Sequence, residues 1–352
     1  MLTKFWEGLG TKLAERWAGV ATPALLFWAG GLVAYLYSRD GTRTLQNLVK
    51  EIARRSATEQ VALALGALVL VATSALVVQR LTLPVIRALE GYWPVLRLVQ
   101  SRFSRWRSSR LTKAEERWQA LFPRVEAMTA SREEGAEFAT LDRRLRRIPS
   151  SPTSRMPTRL GDILRAAESW PGDKYGLDAV KCWPRLWLLL PDTARTELVG
   201  ARGALDAAAG VWLWGLLFMV WGVWAWWAVL AGLIVAGLAY YVWMLAAAAA
   251  YGDLLEASFD MYRPQLYEAL RWPLPSSPAE EREQGEALTS YLWRGSTASL
   301  PRFIMRDDGA GPQGSDRQPA AARLRPLSAI LSNLATAVVQ FVGRRQSRDD
   351  SA

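Results

Sequence analysis

The sequence predicts an all-α integral membrane protein with four transmembrane helices in two hairpins and a helical cytoplasmic domain. Two observations predict it. Although 51% of the 352 residues are hydrophobic, they concentrate in three uncharged blocks, 17–38, 60–79 and 207–252. The 43 Lys and Arg residues then gather on what would be one side of a bilayer.

The first block, Trp17–Ser38, lies between Arg16 and Arg39. About 20 apolar residues at 1.5 Å rise cross a ~30 Å hydrocarbon core, so its length fits a span. A cleaved signal peptide would want a shorter apolar core and a small-residue cleavage site, whereas this run ends Tyr-Leu-Tyr-Ser-Arg. Ahead of it, 1–16 reads as an interfacial amphipathic helix, with Leu2, Phe5, Trp6, Leu9 and Leu13 apolar beside Lys4 and Lys12. Gln60–Gln79 is the second span and closes a first hairpin over 17–79. Its outer loop, 39–59, carries Leu45, Leu48, Val49 and Ile52 at helical spacing.

Residues 80–206 form the basic helical cytoplasmic domain. Val85, Ile86, Leu89, Trp93, Leu96, Val99, Phe103 and Trp106 continue a helical stripe, with Arg97, Arg102, Arg105 and Arg107 beside it. An apolar face next to a basic one suits an anionic leaflet. Thr112-x-x-Glu115 and Ser131-x-x-Glu134 have the form of capping boxes. The helix opened by Ser131 ends in Arg143, Arg144, Arg146 and Arg147. These favour the helix dipole, and as a cluster they would also bind a lipid headgroup. Ser150–Pro157 reads as a linker. From Arg159, the residues Asp162, Arg165 and Glu168 alternate in sign at i+3, which predicts a solvated ladder. That ladder, with Tyr175, Asp178 and Arg185, is the expected partner-binding face. Tyr175–Pro191 is apolar, aromatic and too interrupted to span, so it reads as the buried centre of the domain. Asp192 would cap the helix that follows.

Ala207–Gly252 is uncharged throughout. As one helix it would be roughly 69 Å long, twice what a bilayer accepts, so a second hairpin is expected, bent near Trp221–Trp227. The tail divides into a helical extension, 253–305, in which Ser277-Pro278-x-Glu280 opens a helix. A flexible linker, 306–325, and an amphipathic helix, 326–343, follow. Of the 43 basic residues, 38 fall in the N-terminus, 80–206 and the tail. The positive-inside rule therefore places both termini in the cytoplasm.

The stretches PTRLGDILRAAES at 157–169, YGLDAVKCWPRL at 175–186, LRWPLPSSPAEE at 270–281 and LTSYLWRG at 288–295 resemble segments of a group of bacterial multi-span membrane proteins with no known activity. The resemblance implies a place in the bacterial inner membrane and nothing chemical.

The chain has no His, which excludes Ser-His-Asp and Cys-His catalysis and any imidazole metal ligand. Cys182 alone makes no intrachain disulfide and no Cys-rich metal site. The carboxylates Asp162, Glu168 and Asp178 have no spacing that separates them from surface ion pairs. The sequence therefore predicts no enzyme, no cofactor and no metal. It predicts a membrane-anchored interaction or signalling protein whose partners are anionic lipid headgroups and a cytoplasmic protein. The alternative is a homo-oligomeric channel or pore. Trp and Phe opposite the basic residues disfavour nucleic acid.

Overall fold

The computed structural model describes residues 21–39, 41–92, 97–295 and 301–303, without the side chains of 42, 97–101, 103, 104 and 106. The expected helices 1–16 and 326–343, the linker 306–325 and the Arg97 side chain lie outside the described residues.

Eleven α-helices are described: α1 Ala21–Tyr37, α2 Gly41–Arg54, α3 Ala57–Glu90, α4 Arg97–Glu126, α5 Arg132–Leu145, α6 Arg159–Tyr175, α7 Ala179–Leu189, α8 Asp192–Phe218, α9 Trp226–Leu238, α10 Leu245–Ala269 and α11 Pro278–Arg294. There is no strand among the described residues. Three helical stretches are long and apolar enough to cross a membrane: α3, α8 with its 3-10 extension to Val223, and the continuous run Trp226–Ala269. The apolar helix α1 is shorter.

The helix α3 begins at a reciprocal capping box between Ser56 and Glu59. It outlasts its uncharged stretch because Ala75, Val78, Thr82 and Ile86 keep one face buried at spacings of three and four. Gly91 stops it in the left-handed region, at φ 105°. The basic stripe expected to run unbroken over 85–106 is therefore interrupted. At the other end, residues 57–70 of α3 are exposed throughout, as is nearly all of α2.

The third apolar block does form a hairpin. Met219–Val223 is a 3-10 turn, and α8 and α9 return side by side. Their backbones nearly touch: a Cβ on Gly232 would stand 2.5 Å from the Gly215 carbonyl oxygen. Only a missing side chain permits this approach. Trp221 and Trp224 stack at 5.2 Å beside the bend, and Phe27 of α1 approaches Trp221 at 5.0 Å. Beside them, Trp28 Nε1 donates to Ser74 Oγ at 3.2 Å, tying α1 to α3.

Beyond Leu238 the helix continues through a π segment, Ala239–Met244, into α10. One buried cluster joins Ile86, Leu160, Leu205 and Met244 where α3, α6 and α8 meet this segment. A second joins Leu177, Cys182 and Leu186 to Phe259, Leu266 and Leu288 of α10 and α11. Each fully buried side chain of this size contributes roughly 1.5–3 kcal/mol. The Tyr175–Pro191 block thus enters this core in part, through Tyr175, Leu177, Cys182 and Leu186, while its Val180 and Leu188 are exposed. Burial also pushes the Cys182 thiol up to about 11.

Three local expectations fail for physical reasons. Thr112 lies inside α4 and donates to the Ser108 carbonyl at 3.1 Å. Leu111 and Leu121 are both buried, so one packed face carries the helix straight through the apparent cap. Pro191, not Asp192, occupies the cap of α8, and Asp192 opens the first turn. Ser150–Pro157 is no loose linker. Arg155 within it is buried, pairs with Glu115 and reaches Ser108 Oγ at 3.5 Å.

Candidate functional site

The end of α5, the start of α6 and the π segment surround one open cleft of about 760 Å³. Each wall is fixed by local chemistry. Ser131 and Glu134 cap α5 reciprocally. Phe138 then stacks on Trp118 of α4 at 5.6 Å, and Arg117 pairs with Glu137 at 2.9 Å. These contacts hold one face of α5 against α4 and leave Arg143, Arg144 and Arg147 at the cleft.

The first turn of α6 supplies another part of the lining. Thr158 caps it, accepting from the Gly161 N–H at 3.0 Å and donating to the Glu90 carbonyl at 3.0 Å. Gly161 is needed there, because any Cβ would collide with that carbonyl oxygen. Arg159 and Asp162 are thereby placed at the cleft. Asp162 is buried and holds Arg107 at 2.6 Å, while its other oxygen accepts from the Met156 N–H at 2.8 Å. Burial pushes its carboxyl above the usual range and outweighs the Met156 hydrogen bond and the Arg107 charge, which pull it down.

The floor is apolar. Tyr241 and Val242 of the π segment, exposed by 65% and 53%, lie there with Leu245 and Ala246. π segments inside helices recur at functional positions, and this one lines the cleft. The charge is lopsided. Arg107 is neutralised by Asp162, and Arg147 stands 3.7 Å from Asp253. Arg143 donates only to the Ala139 carbonyl, at 3.4 Å. Among the described residues, Arg144 and Arg159 have no acidic partner.

The predicted site residues are therefore regrouped. Arg143, Arg144 and Arg147, expected at lipid headgroups, share the cleft with Arg107 and with Arg159 and Asp162 from the expected partner face. Asp162 is not part of a solvated ladder. An i+3 pattern cannot reveal that the α3 terminus and the 155–157 segment close over it. Arg165 and Glu168 do pair in the open, at 3.4 Å. Tyr175 is buried, hydrogen-bonded to Asp260 and covered by Arg263 at 4.0 Å. Asp178 caps α7 through the Lys181 N–H at 3.1 Å and pairs with the Lys181 ammonium at 2.8 Å. Arg185 is exposed and donates to the Lys181 carbonyl at 2.8 Å. Arg102 and Arg105 are exposed on α4, and Arg146 is exposed just past the end of α5.

Sequence reasoning missed the Arg155–Glu115 pair, whose Glu was read as part of a cap. It also missed the floor residues, hidden inside a uniformly apolar run. A second cleft, of about 640 Å³, lies between α1, α3 and α8, where Arg202 is paired with Asp206 at 3.3 Å. No three His, Cys, Asp or Glu side chains are grouped to hold a metal among the described residues.

No protein-family model, no curated protein and no solved structure matches this chain.

Proposed function

We propose that the protein is a four-span membrane anchor, with both termini cytoplasmic, whose helical domain binds an anionic lipid headgroup in the arginine cleft. Bound in this way, the domain would meet its protein partners at the inner leaflet. The observation that carries the reading is the composition of the cleft: arginines from two elements line it together with exposed residues of the π segment.

Its depth supports a lipid. The apolar run from Trp226 to Met244 is roughly 28 Å long at 1.5 Å per residue, close to one hydrocarbon core. The floor residues Tyr241 and Val242 belong to the last turn of that run, so the arginines stand at headgroup level. A basic residue near an anionic surface is worth about 1 kcal/mol, and an Arg fork matches phosphate oxygens in pairs. The bias of 38 of 43 basic residues supports the orientation.

The test uses the full chain purified in detergent. Phosphatidylglycerol should raise its thermal midpoint more than phosphatidylcholine does, and the triple variant Arg143→Gln, Arg144→Gln, Arg147→Gln should lose that difference. Equal stabilisation by the two lipids in the wild type would refute the reading.

A further inference from the structure

We infer that the lipid held in this cleft carries two phosphate groups, in a diphosphate or bisphosphate headgroup, rather than one. The inference rests on the lipid reading above and adds a ligand class to it.

Charge is the first argument. Asp162 already neutralises Arg107, and Asp253 stands near Arg147. Arg143, Arg144 and Arg159 then remain without any carboxylate among the described residues, and Arg147 is only loosely engaged at 3.7 Å. One phosphodiester carries a single negative charge and would leave most of this excess uncompensated. Two phosphates carry two or three charges and match it.

Arrangement is the second argument. The cations come from two elements rather than one. Arg143 and Arg144 belong to the last turn of α5 and Arg147 to the turn just after it, while Arg159 opens α6. The guanidinium forks supplied by each element suit a phosphate of their own. A cleft of about 760 Å³ leaves room for more than one phosphate.

The source of the phosphates is decided by the floor. Tyr241, Val242 and Leu245 are apolar, and Leu238 and Ile234 continue an exposed apolar surface away from the cleft along α9. A chain attached to the headgroup has a path there. A free diphosphate has no use for it.

The experiment measures lipid binding to the full chain in detergent by native mass spectrometry. The probes are phosphatidylcholine, phosphatidylglycerol, cardiolipin and a polyprenyl diphosphate, with inorganic diphosphate as competitor. At least one two-phosphate lipid should bind about tenfold or more tightly than phosphatidylglycerol, as expected for one additional charge-assisted pair. Arg159→Gln should abolish that preference, bringing the affinity ratio of two-phosphate lipid to phosphatidylglycerol down to about one. Arg144→Gln, on α5, should lower the same ratio and serves if the first variant does not fold.

If phosphatidylglycerol binds as tightly as both two-phosphate lipids, this inference fails and the lipid reading survives. If no anionic lipid exceeds phosphatidylcholine, both fail. Displacement of the bound lipid by equimolar inorganic diphosphate would overturn the assignment to a lipid.

Discussion

Asp162 has a carboxylate 2.6 Å from a guanidinium, yet its acid strength is set by burial, which raises it. A group whose folded pKa exceeds its unfolded value binds more protons in the native state. Its contribution to stability is full below about pH 4, the unfolded Asp value, and is lost as pH rises through the folded value. Asp162→Asn keeps an acceptor for the Met156 N–H and removes the titration. Wild type should therefore gain stability relative to Asp162→Asn as pH falls from neutral towards 4, measured as the difference in thermal midpoints. An opposite slope would show that the Arg107 pair, not burial, governs the group. The sequence placed Asp162 correctly on a helix and wrongly on its face. An alternating ladder is read from one helix alone, whereas burial here comes from the α3 terminus and from Arg155–Pro157. Arg143, Arg144 and Arg147 were legible as a cluster because adjacent residues need no tertiary information.

Elements were easier to read than their junctions. The hairpin in 207–252 followed from length against bilayer thickness, and its bend falls where the tryptophans crowd. Ser131 and Ser277 cap their helices as the spacing indicates, since both caps are strictly local. Thr112 carries the same local signal and is overridden by a packed face. The α3–α6 junction could not be foreseen at all. Gly161 sits against the Glu90 carbonyl, and nothing in the sequence 158–162 marks that approach. Gly161→Ala forces the two apart and should destabilise the fold by about 1–3 kcal/mol, the usual cost of overpacking. A lowered thermal midpoint would register it. An unchanged midpoint would mean that α6 can slide on α3 without penalty.

At the scale of the molecule, the orientation can be read with single cysteines, because the native thiol is a silent background. Cys182 is fully buried, and its thiol is pushed up to about 11, so almost no thiolate exists at neutral pH. Val223→Cys, at the exposed hairpin bend, should react with a membrane-impermeant maleimide in intact cells, whereas Glu168→Cys should react only after lysis. The reverse pattern would invert the topology. The unbroken helix from Trp226 to Ala269 has a further consequence. Its first half is apolar and its second half supplies Leu255, Phe259, Leu266 and Tyr267 to the core of the charged part. The two parts of the molecule therefore do not form separable modules. A chain cut at Gly252 leaves α6, α7 and α11 without the wall they pack on, and one begun there frays where the helix enters the core. A soluble version of the charged part would have to replace that rod, and transplanting it onto another anchor would have to preserve the rod's rotational phase.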